Sequence, residues 1–187
     1  HYGNNSTARG GEGNDSIYNS NSPGMLISGD DGNDTISNGG NNGTILGGAG
    51  NDYIDNNGSS VSIDGGAGND VINSDGSSVT IRGGNGTDNS TTKGANVSIA
   101  GDAGNDSINN SASTVMIDGG AGIDTLINSG GTVTLDGGAD NDSISNSGTY
   151  VKIYGGDGAD TLRNTAQNVT VNSDEGNDLI VNTASNV

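Results

Sequence analysis

The nonapeptide GGAGNDVIN at residues 65–73 decides the fold, because variants of it recur along the whole chain at a fixed spacing. Its aspartate, Asp70, has an equivalent every 18 residues, and only the first step is longer, at 19 residues. The ten equivalent positions are Asp15, Asp34, Asp52, Asp70, Asp88, Asp106, Asp124, Asp142, Asp160 and Asp178. Self-similarity of this kind predicts repeats that stack on one another, each in contact mainly with its two neighbours.

The composition excludes several classes of protein. Apolar residues make up 28% of the 187 residues and aromatic residues 3%, which is too little for a conventional globular core. The chain has no Cys and a single His, at position 1, so thiol chemistry, disulfides and a His-ligated metal site find no support. A formal net charge of −18 repels nucleic acid and attracts cations. No apolar stretch approaches the length of a membrane-spanning helix, so we expect no membrane insertion.

Short segments of alternating polarity lie between the aspartate motifs, at residues 61–63, 79–81, 97–99, 115–117, 133–135, 151–153 and 169–171. A second alternating segment follows each aspartate, so every 18 residues contain two predicted strands. This pattern predicts an all-β solenoid of about ten coils with parallel strands. The aliphatic residues expected inside one sheet are Ile36, Ile54, Ile72, Ile108, Leu126, Ile144, Leu162 and Ile180. At the fifth copy Ser90 takes the aliphatic position, so we expect that coil to be the loosest in this strand.

A column of asparagines stands at the turn after this strand, and we predict that their side chains point inward as a ladder of stacked amides. The column consists of Asn38, Asn56, Asn110, Asn128, Asn146, Asn164 and Asn182, with Ser74 and Thr92 as substitutes. Small residues two positions later give each bend room for a tight path. We interpret these turns as structural and not as a ligand site.

The aspartate turns, in contrast, predict a cation site. Stacked coils place each carboxylate against the next, and such a column repels itself unless cations lie between the turns. Ca²⁺ suits an oxygen-rich, glycine-rich turn, because it takes six to eight oxygen ligands in flexible geometry. Softer metals prefer the His and Cys ligands that this composition does not offer. Ten turns leave nine gaps, and nine divalent ions would carry +18 against the formal charge of −18.

The motif at residues 65–73 matches the pattern GGxGxDxUx, and its ten copies resemble the RTX (repeats-in-toxin) hemolysin-type calcium-binding repeats. The resemblance implies a right-handed parallel β-roll, calcium held between successive turns, and export by type I secretion. It gives the carboxylate role to the ten aspartates above. It gives the carbonyl role to turn glycines: Gly48, Gly50, Gly66, Gly68, Gly84, Gly86, Gly104, Gly120, Gly122, Gly138, Gly156 and Gly158.

The chain departs from the family pattern in three respects. Family members carry the nonapeptide in both halves of a coil, whereas this chain has it in one half, so we predict one row of about nine Ca²⁺ along one edge. Asp140 replaces the glycine at the fourth position of its copy, and we expect a weaker site there. The first and last copies lack a neighbouring copy on one side, which also predicts weaker sites.

These observations together predict a non-enzymatic, calcium-dependent structural module that is secreted or lies at the cell surface. We expect residues 1–187 to form a single solenoid module of a larger secreted protein or fibre. Its expected roles are a rod, a tail, an adhesin extender or a fibre subunit. Its expected partners are calcium ions and either a second copy, end to end, or neighbouring domains. Two alternatives remain open: ice or crystal-surface binding through the outward hydroxyls of pairs such as Ser62 and Thr80, and a carbohydrate-active solenoid.

Overall fold

The structure, a computed structural model, describes residues 3–184 as a parallel β-solenoid built from two ten-stranded sheets. Sheet A contains the odd-numbered strands, Thr7–Glu12 (β1), Leu26–Asp31 (β3), Thr44–Ala49 (β5), Ser62–Ala67 (β7), Thr80–Asn85 (β9), Ser98–Ala103 (β11), Val115–Ala121 (β13), Val133–Ala139 (β15), Lys152–Asp157 (β17) and Thr170–Asn172 (β19). Sheet B contains the even-numbered strands, Ser16–Asn19 (β2), Thr35–Asn38 (β4), Tyr53–Asn56 (β6), Val71–Ser74 (β8), Asn89–Thr92 (β10), Ser107–Asn110 (β12), Thr125–Asn128 (β14), Ser143–Asn146 (β16), Thr161–Asn164 (β18) and Leu179–Asn182 (β20).

Each odd-numbered strand and the even-numbered strand after it form one coil, and we number the ten coils from one to ten. Every strand pairs in parallel with its equivalent in the next coil, one repeat further along the chain. In sheet A, for example, Ile63 of β7 pairs with Ile81 of β9. The predicted all-β solenoid with two short strands per coil is therefore confirmed. No helix long and apolar enough to cross a membrane occurs in residues 3–184.

The core lies between the two sheets and consists of the inward-facing aliphatic residues of both. Because side chains alternate along a strand, the residues on either side of each core residue point outward. Ile36, Ile54 and Ile72 are fully buried in sheet B. Ile180 is an exception to the prediction, since 48% of it is exposed. It lies on β20, the edge strand of sheet B, where only β18 pairs with it.

Coil five keeps its sheet B strand although the core position of that strand is polar. Ser90 stands in the core column between Ile72 and Ile108 and is almost fully buried. Strand β10 pairs over all four residues with both β8 and β12. The polar sequence therefore changes the core composition but not the register, and the looseness of this coil stays a prediction.

The solenoid has two edges, which differ in their bends. At the edge where sheet A leads into sheet B, the second and fourth glycines of the motif have positive φ, 110° at Gly66 and 125° at Gly68. At the opposite edge the positive φ falls on residues with side chains, 58° at Ser60 and 59° at Tyr150. Glycine tolerates this conformation at little cost, whereas a bulky residue does not.

Candidate metal edge

The ten motif aspartates stand at one edge of the solenoid, which we call the Asp edge. Each one is the residue immediately before a sheet B strand. Its side chain points inward between the two sheets. From Asp34 to Asp160 the aspartates are almost fully buried, and Asp124 is completely so. Asp15 and Asp178, in the first and last coils, are partly exposed. The sequence thus places ten carboxylates in register, eight of them in the interior.

One oxygen of every carboxylate after the first has a hydrogen-bond partner. The backbone N–H of Asp52 donates to Oδ1 of Asp70 at 2.8 Å, and that of Asp70 donates to Oδ1 of Asp88 at 2.7 Å. The same bond joins each pair of successive aspartates from Asp15 to Asp178. The carboxylates therefore form a continuous ladder that links all ten coils.

The second oxygen has no partner. Oδ2 is buried without a hydrogen bond in the nine aspartates from Asp15 to Asp160. A buried polar atom without a partner is rare in proteins and costs about 1–3 kcal/mol, and more for a charged group. Nine equivalent unpartnered oxygens along one edge therefore indicate a binding position for a partner, repeated at the same place in each of these nine coils.

A backbone carbonyl faces each of these oxygens. The point where a Cβ on Gly65 would stand lies 2.5 Å from Oδ2 of Asp70 and 2.5 Å from the carbonyl oxygen of Gly83 in the next coil. The same pair of oxygens meets at Gly83, where Oδ2 of Asp88 and the Gly101 carbonyl lie 2.5 and 2.7 Å from the equivalent point. Two acceptor oxygens thus line one small space in each of coils one to nine.

Burial changes the protonation of these carboxyls. The pKa of Asp70 and of Asp106 is raised to about 7, chiefly by burial; the hydrogen bond from the preceding aspartate N–H lowers this pKa, and the negative charges of neighbouring aspartates contribute to raising it. Burial also raises the pKa of Asp124 and of Asp142 to about 6. Without a positive partner these groups hold protons near neutral pH, so the column competes for protons and cations alike.

Comparison with protein families identifies the repeat. A family model described as the RTX calcium-binding nonapeptide repeat matches residues 2–19, 26–45, 47–81, 64–94, 82–112, 118–148 and 154–185. The chain belongs to this family. The matched ranges of the RTX repeats include all ten motif aspartates, and they imply calcium binding. Comparison with curated proteins and with solved structures gave no match.

The residues of the RTX turns fit a calcium ion. Their donors are carboxylate and carbonyl oxygens, the ligands that Ca²⁺ prefers. Within residues 3–184 no three acidic or His side chains come together closely enough to hold an ion by themselves. A calcium ion at the Asp edge therefore needs backbone carbonyls beside the carboxylates, and the unpartnered Oδ2 atoms are the side-chain oxygens that remain available for it.

The glycines predicted as carbonyl ligands lie in the RTX turns, and their carbonyl oxygens lie close to the equivalent glycines of the next turn. The carbonyl oxygen of Gly48 occupies the space that a Cβ on Gly66 would fill, and Gly50 stands in the same relation to Gly68. The N–H of Gly68 donates to the Asn85 carbonyl at 2.8 Å, and this bond joins coil four to coil five. The position of these carbonyls agrees with a role between turns, and their role as ligands stays a prediction.

Sequence reasoning missed the first glycine of the motif. Its carbonyl oxygen lies close to the unpartnered carboxylate oxygen of the preceding coil, which is not the case for the second and fourth glycines. A side chain at this position would collide with the carboxylate. The signal was visible in the sequence, because the residue is glycine in nine of the ten copies: Gly10, Gly29, Gly47, Gly65, Gly83, Gly101, Gly119, Gly137 and Gly155, followed by Ser173.

A second missed feature is a row of exposed asparagines just before the aspartates, which we call the outer Asn row. Oδ1 of Asn51 accepts the N–H of Asn69 at 2.7 Å, and Oδ1 of Asn69 accepts the N–H of Thr87 at 2.8 Å. The row consists of Asn14, Asn33, Asn51, Asn69, Asn105 and Asn141, each bonded to the following coil. It fixes the backbone beside the Asp ladder from the outside.

The opposite edge, which we call the Asn edge, carries the predicted Asn ladder. Nδ2 of Asn128 donates to Oδ1 of Asn146 at 2.7 Å and to the carbonyl of Gly130 at 2.9 Å, while its Oδ1 accepts the Gly130 N–H. The ladder is confirmed and begins one coil earlier than predicted, at Asn19. Asn182, on the last strand, is exposed. Each asparagine in the interior of this ladder hydrogen-bonds the backbone of its own turn through both Nδ2 and Oδ1. Its side-chain atoms are therefore already paired within the protein.

Proposed function

We propose that this chain is a calcium-dependent structural rod of a secreted protein, without catalytic activity. Calcium ions in one row along the Asp edge stabilise the folded solenoid, and the rod serves as a tail, an adhesin extender or a fibre subunit. Its further partners are a second copy, end to end, or neighbouring domains of the same protein. The ligands proposed for calcium are the ten motif aspartates and the carbonyl oxygens of the turn glycines.

The observation that carries this proposal is the set of nine buried Oδ2 atoms without a hydrogen bond. Each lies close to a carbonyl oxygen of the next coil, and a cation between the two oxygens would be attracted to both. The RTX repeat identity favours calcium among the cations.

The mechanism is a linkage between binding and folding. The Asp ladder assembles the carboxylates only when successive coils stack, so an ion that needs two adjacent turns binds the folded chain and not the unfolded one. Such an ion stabilises the fold by mass action. Extracellular calcium modules work at about 10⁻⁴ to 10⁻³ M, and a cytosol holds far less, so we expect the chain to fold after export.

A calcium titration followed by far-UV circular dichroism tests the proposal, with Mg²⁺ as the control ion. We expect β-structure to form with calcium at neutral pH, to form poorly with magnesium, and to disappear on chelation. Isothermal titration calorimetry would then count the ions against the nine gaps between ten turns. Unchanged β-structure after complete removal of divalent ions at neutral pH would contradict the proposal.

A second candidate, binding to ice or another crystal surface, is favoured by one observation. The outward hydroxyls of Ser62 and Thr80 stand side by side on the exposed face of sheet A, with Ser60 and Ser78 beside them. Met116 interrupts the array, and 61% of it is exposed. Thermal hysteresis of the calcium-loaded protein would support this function, and its absence in a sample shown to be folded would exclude it.

A further inference from the structure

Three side-chain ladders join successive coils: the Asp ladder, the Asn ladder and the outer Asn row. Their continuity differs from one boundary between coils to the next. Within residues 3–184, the boundary between coils five and six is the one at which both asparagine ladders are interrupted. The boundary lies between the turns of Asp88 and Asp106.

The Asn ladder stops at this boundary because coil five carries Thr92 in place of asparagine. Thr92 donates its hydroxyl backward, to the Ser74 carbonyl at 3.2 Å. Asn110 in coil six is bonded to its own turn and to Asn128 in the following coil. No side-chain bond joins Thr92 and Asn110 in the described part of the chain, whereas Asn110 and Asn128 are joined at 2.7 Å.

The outer Asn row stops at the same boundary. Coil five carries Thr87 at this position, and its N–H donates to Asn69 in coil four. In residues 3–184 no side chain accepts the N–H of Asn105, the equivalent in coil six. Isolated interruptions of this row also occur after Ile123 and Ala159, but there the Asn ladder continues through Asn128 and Asn164.

The core is also weakened here. Ser90 replaces the aliphatic residue of coil five and stands against Ile108 of coil six. A buried serine in place of isoleucine removes most of the apolar area that this position contributes at every other coil from two to nine.

Other connections remain across the boundary, including two at the Asn edge, where the hydroxyl and the N–H of Ser111 donate to the Thr92 carbonyl at 3.4 and 3.1 Å. The two sheets are continuous, the Asp88 N–H donates to Oδ1 of Asp106 at 2.8 Å, and Arg82 pairs with Asp102 at 3.4 Å. The Arg82 side chain is 62% exposed, and ion pairs of this kind contribute little and weaken in salt. The Asp edge is therefore the only edge at which a buried ladder still joins coil five to coil six in the described residues.

We propose that the boundary between coils five and six is a calcium-dependent joint of the rod. With calcium between the turns of Asp88 and Asp106, the ten coils act as one stiff body. When this position empties, the rod opens here first and separates into two folded segments, coils one to five and coils six to ten. The inference rests on the calcium-binding function proposed above.

Hydrogen exchange of the whole chain, measured by mass spectrometry at graded free calcium, tests the joint. As calcium falls, we expect strands β10 and β12 to lose protection at a higher calcium concentration than the strands of coils two and three, whose boundary keeps both asparagine ladders. Each missing net hydrogen bond corresponds to about a fivefold change in an equilibrium constant, so the two interruptions predict exchange about 25-fold faster at the joint.

Matched variants separate the joint from a general weakness. Thr87→Asn with Thr92→Asn restores both ladders and should bring the protection of β10 and β12 to that of their neighbours. The control, Thr125→Asn with Thr161→Asn, makes the same chemical change at outward positions of sheet B and should leave the joint in place. Asn105→Thr with Asn110→Thr should create a second joint between coils six and seven.

The outcomes distinguish the two proposals. Earlier loss of protection at β10 and β12, abolished by the ladder-restoring variant alone, supports the joint. Simultaneous loss along the whole chain as calcium falls, or loss at β10 and β12 that the restoring variant leaves unchanged, overturns the joint but leaves calcium-dependent folding intact. Protection that does not depend on calcium anywhere overturns the proposed function, and the joint with it.

Discussion

Each edge of this solenoid carries an inward ladder, and the side chains of the two ladders differ in one atom. At the Asn edge, Asn128 has an oxygen that accepts a turn N–H and a nitrogen that donates to two oxygens. At the Asp edge, Asp124 has an oxygen that accepts the Asp106 N–H, but an oxygen stands where the asparagine has its nitrogen. An NH₂ group satisfies the first edge, whereas the second edge needs a positive partner from outside the chain.

This difference predicts that the two edges respond differently to protons and cations. Buried amides carry no charge and satisfy one another, so the Asn ladder itself needs neither a proton nor a cation. Buried carboxylates without donors destabilise the fold unless a proton or a cation compensates them. We therefore expect calcium to act on the side of the rod where aspartate replaces asparagine.

The largest expected effect is the pH dependence of the metal-free rod. Burial raises the pKa of Asp70 and Asp106 from 3.8 to about 7, so protonation of these groups stabilises the fold fully below about pH 4, and that stability is lost as the pH rises through 7. We expect metal-stripped protein to melt at a clearly higher temperature at pH 5 than at pH 8, measured by circular dichroism. Saturating calcium should reduce this difference, and equal melting temperatures without metal would contradict the assignment.

A charge introduced at the Asn edge should destabilise the fold nearly as much as the rise in pH destabilises the metal-free rod. Asn128→Asp removes the donor that bonds Gly130 and Asn146 and leaves a buried oxygen against two acceptors. We expect a loss of about 2–5 kcal/mol in the free energy of unfolding at pH 8. Denaturant unfolding in saturating calcium measures it. An unchanged free energy of unfolding would contradict the prediction.

The converse change at the Asp edge should act in opposite directions with and without calcium. Asp124→Asn keeps the acceptor for the Asp106 N–H and places a donor beside the Gly137 carbonyl. We expect the metal-free protein to gain about 1–3 kcal/mol and the calcium-loaded protein to bind fewer ions. Asp75→Asn, exposed at the Asn edge, is the control and should change neither quantity by a comparable amount. Destabilisation of the metal-free protein by Asp124→Asn would contradict the expected difference between the two edges.

The smallest expected effect concerns the backbone of the Asn edge. Thr132 has φ of 58°, a conformation that β-branched residues disfavour, whereas Asn42 and Asn96 hold the equivalent position at the same angle. Thr132→Asn should raise the free energy of unfolding by about 0.5–1 kcal/mol, with Thr134→Asn on the strand as the control. An equal response at both positions would show that backbone strain does not matter here.

Much of the structure was predictable because the repeat fixes which residues become neighbours. An 18-residue period pairs Ile63 with Ile81 and stacks Asn128 on Asn146 in any solenoid of this coil length. Alternation within each strand then decides which side chains enter the core. The fold class, the core columns, the Asn ladder and the row of aspartates follow from these two regularities.

The sequence by itself determined the register of the coils and the line of carboxylates at one edge. Only the tertiary structure decided which atoms meet: that one oxygen of Asp70 bonds the neighbouring coil and the other faces the Gly83 carbonyl, that the outer Asn row ties the turns, and that Ile180 is exposed on the edge strand. The physical reason is that a period fixes distances along the chain, whereas hydrogen-bond partners depend on side-chain orientation and on the presence of a strand on each side.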